Sequence, residues 1–163
     1  MQTKREEKTT SQPPNGKAFT VRKTFSRETS VSLDIQADKG IIWGLLTKSE
    51  DYPRWNSTII TIKGAIAKDQ KIVLNATIDP KRQFKLKIKE FDEGNRLVWG
   101  DAMGNRVYTL GSLGDGVTHF SMVEKISGPL FPLFARMIPP FDNAFETFAK
   151  DLKKEAEGNM RSK

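Results

Sequence analysis

In Val117–Ser127, apolar and polar residues alternate, so Phe120, Met122, Glu124 and Ile126 fall on one face of a strand. A carboxylate among three apolar side chains is a candidate for chemistry. If that face turns inward, loss of water raises its pKa and suits it to acid–base work or to hydrogen-bonding a ligand. The bland alternative is an ion pair with a lysine or arginine at a cavity mouth. Glu124 is therefore the candidate catalytic residue, and Asp101, just after Leu97-Val98-Trp99, is a second carboxylate with the same ambiguity. His119 is the single histidine and points away from the Phe120 face, which excludes paired-histidine metal motifs. With no cysteine there is no disulfide, thiolate metal site or cysteine nucleophile. No GxSxG, GxGxxG or P-loop spacing occurs, so neither a metal nor a cofactor is expected.

The aromatic residues point to binding. Trp55, Trp99, Tyr108, Phe120, Phe145 and Phe148, with Met122 and Glu124, are the candidate lining of a ligand cavity. Trp99 and Tyr108 each combine an apolar ring with a polar tip that could orient a ligand. Residues 127–141 form the most apolar stretch, broken by Pro129, Pro132, Pro139 and Pro140. It reads as a gate over the cavity, with Leu130, Phe131, Phe134 and Met137 as the gating side chains. Exposed, the same residues together with Leu133 and Ile138 would instead make a membrane- or partner-facing patch.

The elements that must position these residues are set by periodicity. Thr29, Val31, Leu33 and Ile35 alternate with polar residues as a strand. Asp38 is placed to cap a short helix carrying Ile41, Ile42, Leu45 and Leu46. Pro53 is expected to force Tyr52 out of helical geometry. Six more strand-like runs come next, about 58–66, 71–78, 83–91, 96–102, 106–113 and 117–127. Short breaks rich in Gly, Asp and Asn separate them, including Asp79-Pro80-Lys81 and Gly114-Asp115-Gly116, which suggests antiparallel hairpins. Phe141, Phe145, Phe148 and Leu152 then mark one face of a closing helix from about Pro140, with Gly158 as its stop.

Of the 163 residues, 27 are basic and 20 acidic, for a net charge of +7. Residues 1–27 hold seven basic groups against Glu6 and Glu7, leaving the rest nearly balanced. We read 1–24 as a flexible basic extension, 25–158 as one domain and 159–163 as a tail. No run is apolar enough to span a bilayer, and the first residues lack the apolar core of a secretory leader. A cytoplasmic setting is the expectation, with a small hydrophobic ligand as partner, peripheral membrane contact as an alternative, and no nucleic acid.

Three stretches taken together resemble the START-like (SRPBCC) superfamily, the helix-grip group of the birch-pollen allergen type, polyketide cyclases and lipid-transfer domains. They are Ile42–Thr47 with Tyr52-Pro53-Arg54-Trp55-Asn56, then Tyr108–Leu130, then Phe145–Glu157. The resemblance covers about residues 28–158 and is nearest to the polyketide cyclase/dehydrase-like branch. It implies an α+β fold: a curved seven-stranded antiparallel sheet wrapped around a long C-terminal helix, with two short helices after the first strand. It does not imply one activity. Hydrophobic or amphipathic ligand binding is the leading expectation, with a cyclase- or dehydratase-type enzyme using a cavity carboxylate, or a membrane- or partner-interaction protein, as the alternatives.

Overall fold

The computed structural model describes residues 15–161. The chain begins with β1 (Phe19–Lys23) and β2 (Ser26–Ile35), followed by α1 (Lys39–Thr47), a 3-10 turn and α2 (Tyr52–Trp55). Six strands come next: β3 (Ile59–Lys63), β4 (Lys71–Ala76), β5 (Asp79–Asp92), β6 (Arg96–Gly100), β7 (Gly104–Gly114) and β8 (Val117–Ser127). The chain then passes through α3 (Phe131–Phe134) and a second 3-10 turn into α4 (Asp142–Arg161). All strands belong to one antiparallel sheet, ordered β1-β2-β8-β7-β6-β5-β4-β3.

Local chemistry fixes the register. Asp115 and Gly116 form a two-residue loop with φ of 53° and 74°, the left-handed pair that the favoured hairpin turns require. That turn sets Leu110 opposite Phe120, Tyr108 opposite Met122 and Arg106 opposite Glu124. Register shifts in the β3–β4, β4–β5 and β5–β6 pairings bend this half of the sheet. The curled sheet closes on α4, whose Phe145, Phe148, Ala149, Leu152 and Ala156 are buried at helical spacing. Tyr52 and Trp55 of α2 reach the same core. Tyr52 is helical, at φ −51° and ψ −44°, contrary to the expectation from Pro53. The proline sits in the first turn of α2, where its missing N–H has no intrahelical partner to lose.

The expected α+β grip is present, with an eighth strand at its edge. Residues 19–23 pair with β2 as β1, so the extension read as 1–24 is structured over its last residues. Residues 1–14 lie outside the described residues. β1 carried little sequence signal because Phe19, Val21, Arg22 and Lys23 are all exposed. Its alternation has no buried face to report.

Asp79 and Pro80 open β5, and the turn falls at Thr77-Ile78. A proline is tolerated at the first residues of a strand, where its missing N–H is not needed. Asp38 stands at the start of α1 without a side-chain capping bond; Thr118 Oγ1 instead donates to Ala37 O at 2.7 Å and anchors that end. α4 continues through Gly158 to Arg161, since one exposed glycine costs a helix only about 1 kcal/mol. Among the described residues, no helix is long and apolar enough to cross a membrane.

Candidate functional site

The concave face is graded along the strands. Its deepest rows, Leu33–Phe120–Leu110 and Val31–Met122–Tyr108–Leu97, are apolar apart from the Tyr108 hydroxyl. One step toward the end where β8 leaves the sheet, the row becomes Thr29–Glu124–Arg106–Trp99. Strand alternation and register therefore bring an acid, a base and an indole together on one inward-facing line.

The deep rows are packed solid. The Trp99 and Tyr108 rings meet edge to face at 4.9 Å, and Tyr108 lies 5.7 Å from Phe148. Phe148 also stacks on Phe120 and meets Trp55 edge-on, while Tyr52 closes the cluster and donates its hydroxyl to Leu46 O at 2.7 Å. Rings occupy the space between sheet and helix that the sequence suggested for a ligand. Trp55, Tyr108 and Phe120 are core residues, and a void of only about 30 Å³ remains beside Met122, Phe145 and Phe148.

A mostly apolar cavity of about 130 Å³ lies at the open end of the sheet. The β4–β5 side is apolar, with Leu74, Phe84 and Leu86. The β6–β8 side carries Trp99, Asp101, Arg106, Glu124 and Ile126. Ile138 and Phe141 close it from the chain entering α4. The rim where β6 turns into β7 depends on Gly100, because a Cβ there would sit 2.2 Å from Gly104 O. Of the residues proposed from sequence, Trp99, Asp101 and Glu124 line this cavity.

Glu124 is paired. Arg106 Nη2 donates to its Oε2 at 3.3 Å, and both side chains are about four-fifths buried. The Arg106 guanidinium also lies over the Phe145 ring, 5.0 Å from its centre. Burial works against this charge, but the neighbouring Glu124 and Tyr108 outweigh it and hold the Arg106 pKa above the ordinary arginine value. Burial pushes the Tyr108 hydroxyl up to about 12 against the pull of Arg106. Arg106 Nε and Tyr108 Oη are both buried and make no hydrogen bond of ordinary geometry, but the two side chains lie close enough to stabilise each other.

The gate is held from beneath by Arg27, which is almost wholly buried. Its Nη1 donates to Ile138 O at 3.1 Å, its Nη2 to Pro139 O at 2.9 Å, and its guanidinium stacks 4.5 Å from the centre of the Phe141 ring. Burial, with the nearby Arg22 charge, lowers the Arg27 pKa from the ordinary value. Beside it, Thr20 bonds both to Thr29 and to Asp142 at the start of α4.

The side chains read as the gate behave differently. Phe131 is buried against Phe134, whereas Leu130 and Met137 are 62% and 80% exposed and do not line the cavity. Ile138 and Phe141 line it instead, and the paired prolines between them stop the preceding turn. Arg27 and Arg106 were missed in the sequence. Each is an arginine on an inward-facing strand position, which the period-two pattern does flag.

Asp101 accepts bonds from the Met103 and Gly104 amides and shapes the β6–β7 turn. His119 is exposed, 2.7 Å from Asp34. Among the described residues, no group of three or more His, Cys, Asp or Glu could hold a metal.

No known family profile matches the sequence, and no curated protein matches it. Solved structures do match. A START superfamily protein from Mycobacterium smegmatis superposes with a TM-score of 0.60 at 17% identity, over 81% of this chain and 98% of that one. A norcoclaurine synthase point mutant from Thalictrum, in complex with a transition-state analogue, gives 0.63 at 10% identity, over 86% and 99%. The di-domain ARO/CYC StfQ of the steffimycin biosynthetic pathway gives 0.60 at 12% identity, over 81% of this chain and 46% of that one. At such identities these likenesses establish the fold, which is the START-like helix grip.

Proposed function

We propose that this helix-grip chain is a binding module for a small amphipathic molecule held in the cavity at the open end of the sheet. The apolar part of the ligand would lie against Leu74, Phe84, Leu86 and Ile126, and its polar end would meet Arg106 and Glu124. The observation that carries this reading is the cavity itself, where apolar side chains of β4 and β5 adjoin the Arg106–Glu124 pair. An acceptor oxygen on the ligand would meet the part of the guanidinium that stays accessible.

Size constrains the ligand. A cavity of about 150 Å³ holds a benzene ring, whereas drug-sized ligands occupy about 300 Å³ or more. At about 130 Å³, the site suits a single ring or a short chain. Anything larger would extend through the open mouth past Ile138 and Phe141.

The test is displacement of a fluorescent aryl sulfonate by short-chain and aromatic carboxylic acids, in the intact chain and in Ile126→Trp, which fills the cavity. Saturable binding that Ile126→Trp weakens at least about tenfold is the expected result. Equal binding by both proteins, or none by either, would sink the proposal.

Glu124 in the cavity wall favours a second reading, an enzyme of cyclase or dehydratase type with this carboxylate as the acid–base group. Turnover with a pH–rate profile that disappears in Glu124→Gln is its signature. Unchanged turnover in that variant would remove it.

A further inference from the structure

The cavity mouth sits at one end of the molecule, and that end differs in kind from the other. Four exposed apolar side chains cluster there on neighbouring loops: Phe25, Leu130, Leu133 and Met137, at 57%, 62%, 79% and 80% exposure. Backbone hydrogen bonds tie the loops together. Gly128 N donates to Phe25 O at 3.1 Å, Phe131 N to Gly128 O at 3.1 Å, and Leu133 N to Leu130 O at 3.0 Å. Ser127 N likewise donates to the carbonyl of Met103, a residue of the cavity lining. The loops that carry the apolar group are therefore joined by backbone bonds to the rim of the cavity. α3 cannot bury its own Leu133, because a single turn between Pro129 and Pro139 has no second face to fold against.

Charge separates the two ends in the same way. The antiparallel order puts the β1–β2, β4–β5 and β6–β7 turns and the 125–141 connection at the mouth. Exposed Arg22, Lys23, Lys81, Arg82, Lys125 and Arg136 stand on or beside these loops. The acids at this end are Glu28, Asp79, Asp101 and Asp142; Asp101 is engaged with the amides of its own turn and Asp142 accepts from Thr20. The opposite loops carry Asp38, Asp69, Asp92, Glu93 and Asp115 alongside Lys39, Lys63, Lys68, Lys71 and Arg96, so their charges nearly balance. The molecule thus has a basic, apolar end around the cavity and an end of mixed charge away from it.

We propose that the mouth end is a docking surface for an anionic lipid bilayer. Phe25, Leu130, Leu133 and Met137 enter the boundary between headgroups and acyl chains, and the surrounding basic side chains meet the lipid charge. Apolar insertion combined with basic flanks is the pattern of reversible interfacial binding. Charge decides between the candidate occupants. A second copy related by a twofold axis would set the two basic ends face to face, which like-charge repulsion opposes. An anionic bilayer matches both the apolar centre and the basic rim. Docked in this way, the cavity opens directly onto the membrane, although the inference stands whether or not the cavity is occupied.

The experiment is co-sedimentation of the full chain with vesicles of phosphatidylcholine alone or with about 30% phosphatidylserine, at low and at about 1 M salt. It is repeated with Leu133→Asp/Met137→Asp, two positions so exposed that the fold does not depend on them. A matching thermal melt confirms that the variant is folded. Expected are sedimentation with the anionic vesicles, its loss in high salt, and at least about a tenfold drop in partitioning for the variant. Absence of binding, or equal binding to neutral vesicles, would overturn the proposal. Binding that survives in the variant would assign it to charges elsewhere on the chain and overturn it too. Concentration-dependent self-association without vesicles, abolished by the same substitutions, would make the surface a contact between copies instead.

Discussion

Tyr52 and Tyr108 are the two tyrosines of the chain, and neither exposes any surface. Burial pushes both hydroxyls up, Tyr108 to about 12 and Tyr52 well above its ordinary value. In the unfolded chain both lose their protons near pH 10. Between that pH and about 12 the unfolded state releases protons that the folded state retains, so stability falls as pH rises. The stabilisation is complete below pH about 10, and the Tyr108 share, about 2–3 kcal/mol, is lost across this window. Tyrosinate absorbance is accordingly expected to rise together with loss of circular dichroism. A separate rise near pH 10 in the folded protein would contradict the burial. Residue-scale chemistry was half legible beforehand. Alternation places Glu124 inward, but its partner Arg106 is on another strand, and only pairing register brings them together.

Among the elements, the connection into α4 does the most to shape the site. Arg27 fastens it with two hydrogen bonds and a ring contact, and Arg27→Met removes both bonds while keeping most of the volume. A loss of about 2 kcal/mol is expected in thermal or denaturant unfolding. Faster hydrogen exchange is expected at the Met137, Ile138 and Phe141 amides, with the C-terminal half of α4 unchanged. Unaltered exchange in this segment would show that Arg27 is not its latch. The proline-rich sequence announced an irregular connection here. Which of its apolar side chains cover the cavity and which face outward was decided by where the chain crosses, so Ile138 and Phe141 close the mouth while Leu130 and Met137 do not.

For the whole molecule, Phe148 joins the parts: its ring contacts Tyr52, Trp55, Tyr108 and Phe120, and so links α4 to α2, β7 and β8. Phe148→Ala is expected to lower global stability by about 3–5 kcal/mol in a single cooperative transition. A small loss, or melting of one part alone, would show that the aromatic cluster does not hold the two layers together. Strand alternation, the left-handed turn at Asp115-Gly116 and the Phe145–Ala156 stripe are local patterns with fixed periods. The sequence alone therefore determined the antiparallel sheet, the covering helix and the inward-facing residues. What fills the space between sheet and helix is not local. It depends on how far the sheet curls and on how rings from distant strands interleave, and ten phenylalanines, three tryptophans and two tyrosines fit either a packed core or a lined cavity. Tertiary structure packed the centre, moved the cavity to the open end beside Arg106 and Glu124, and gathered apolar and basic residues around its mouth.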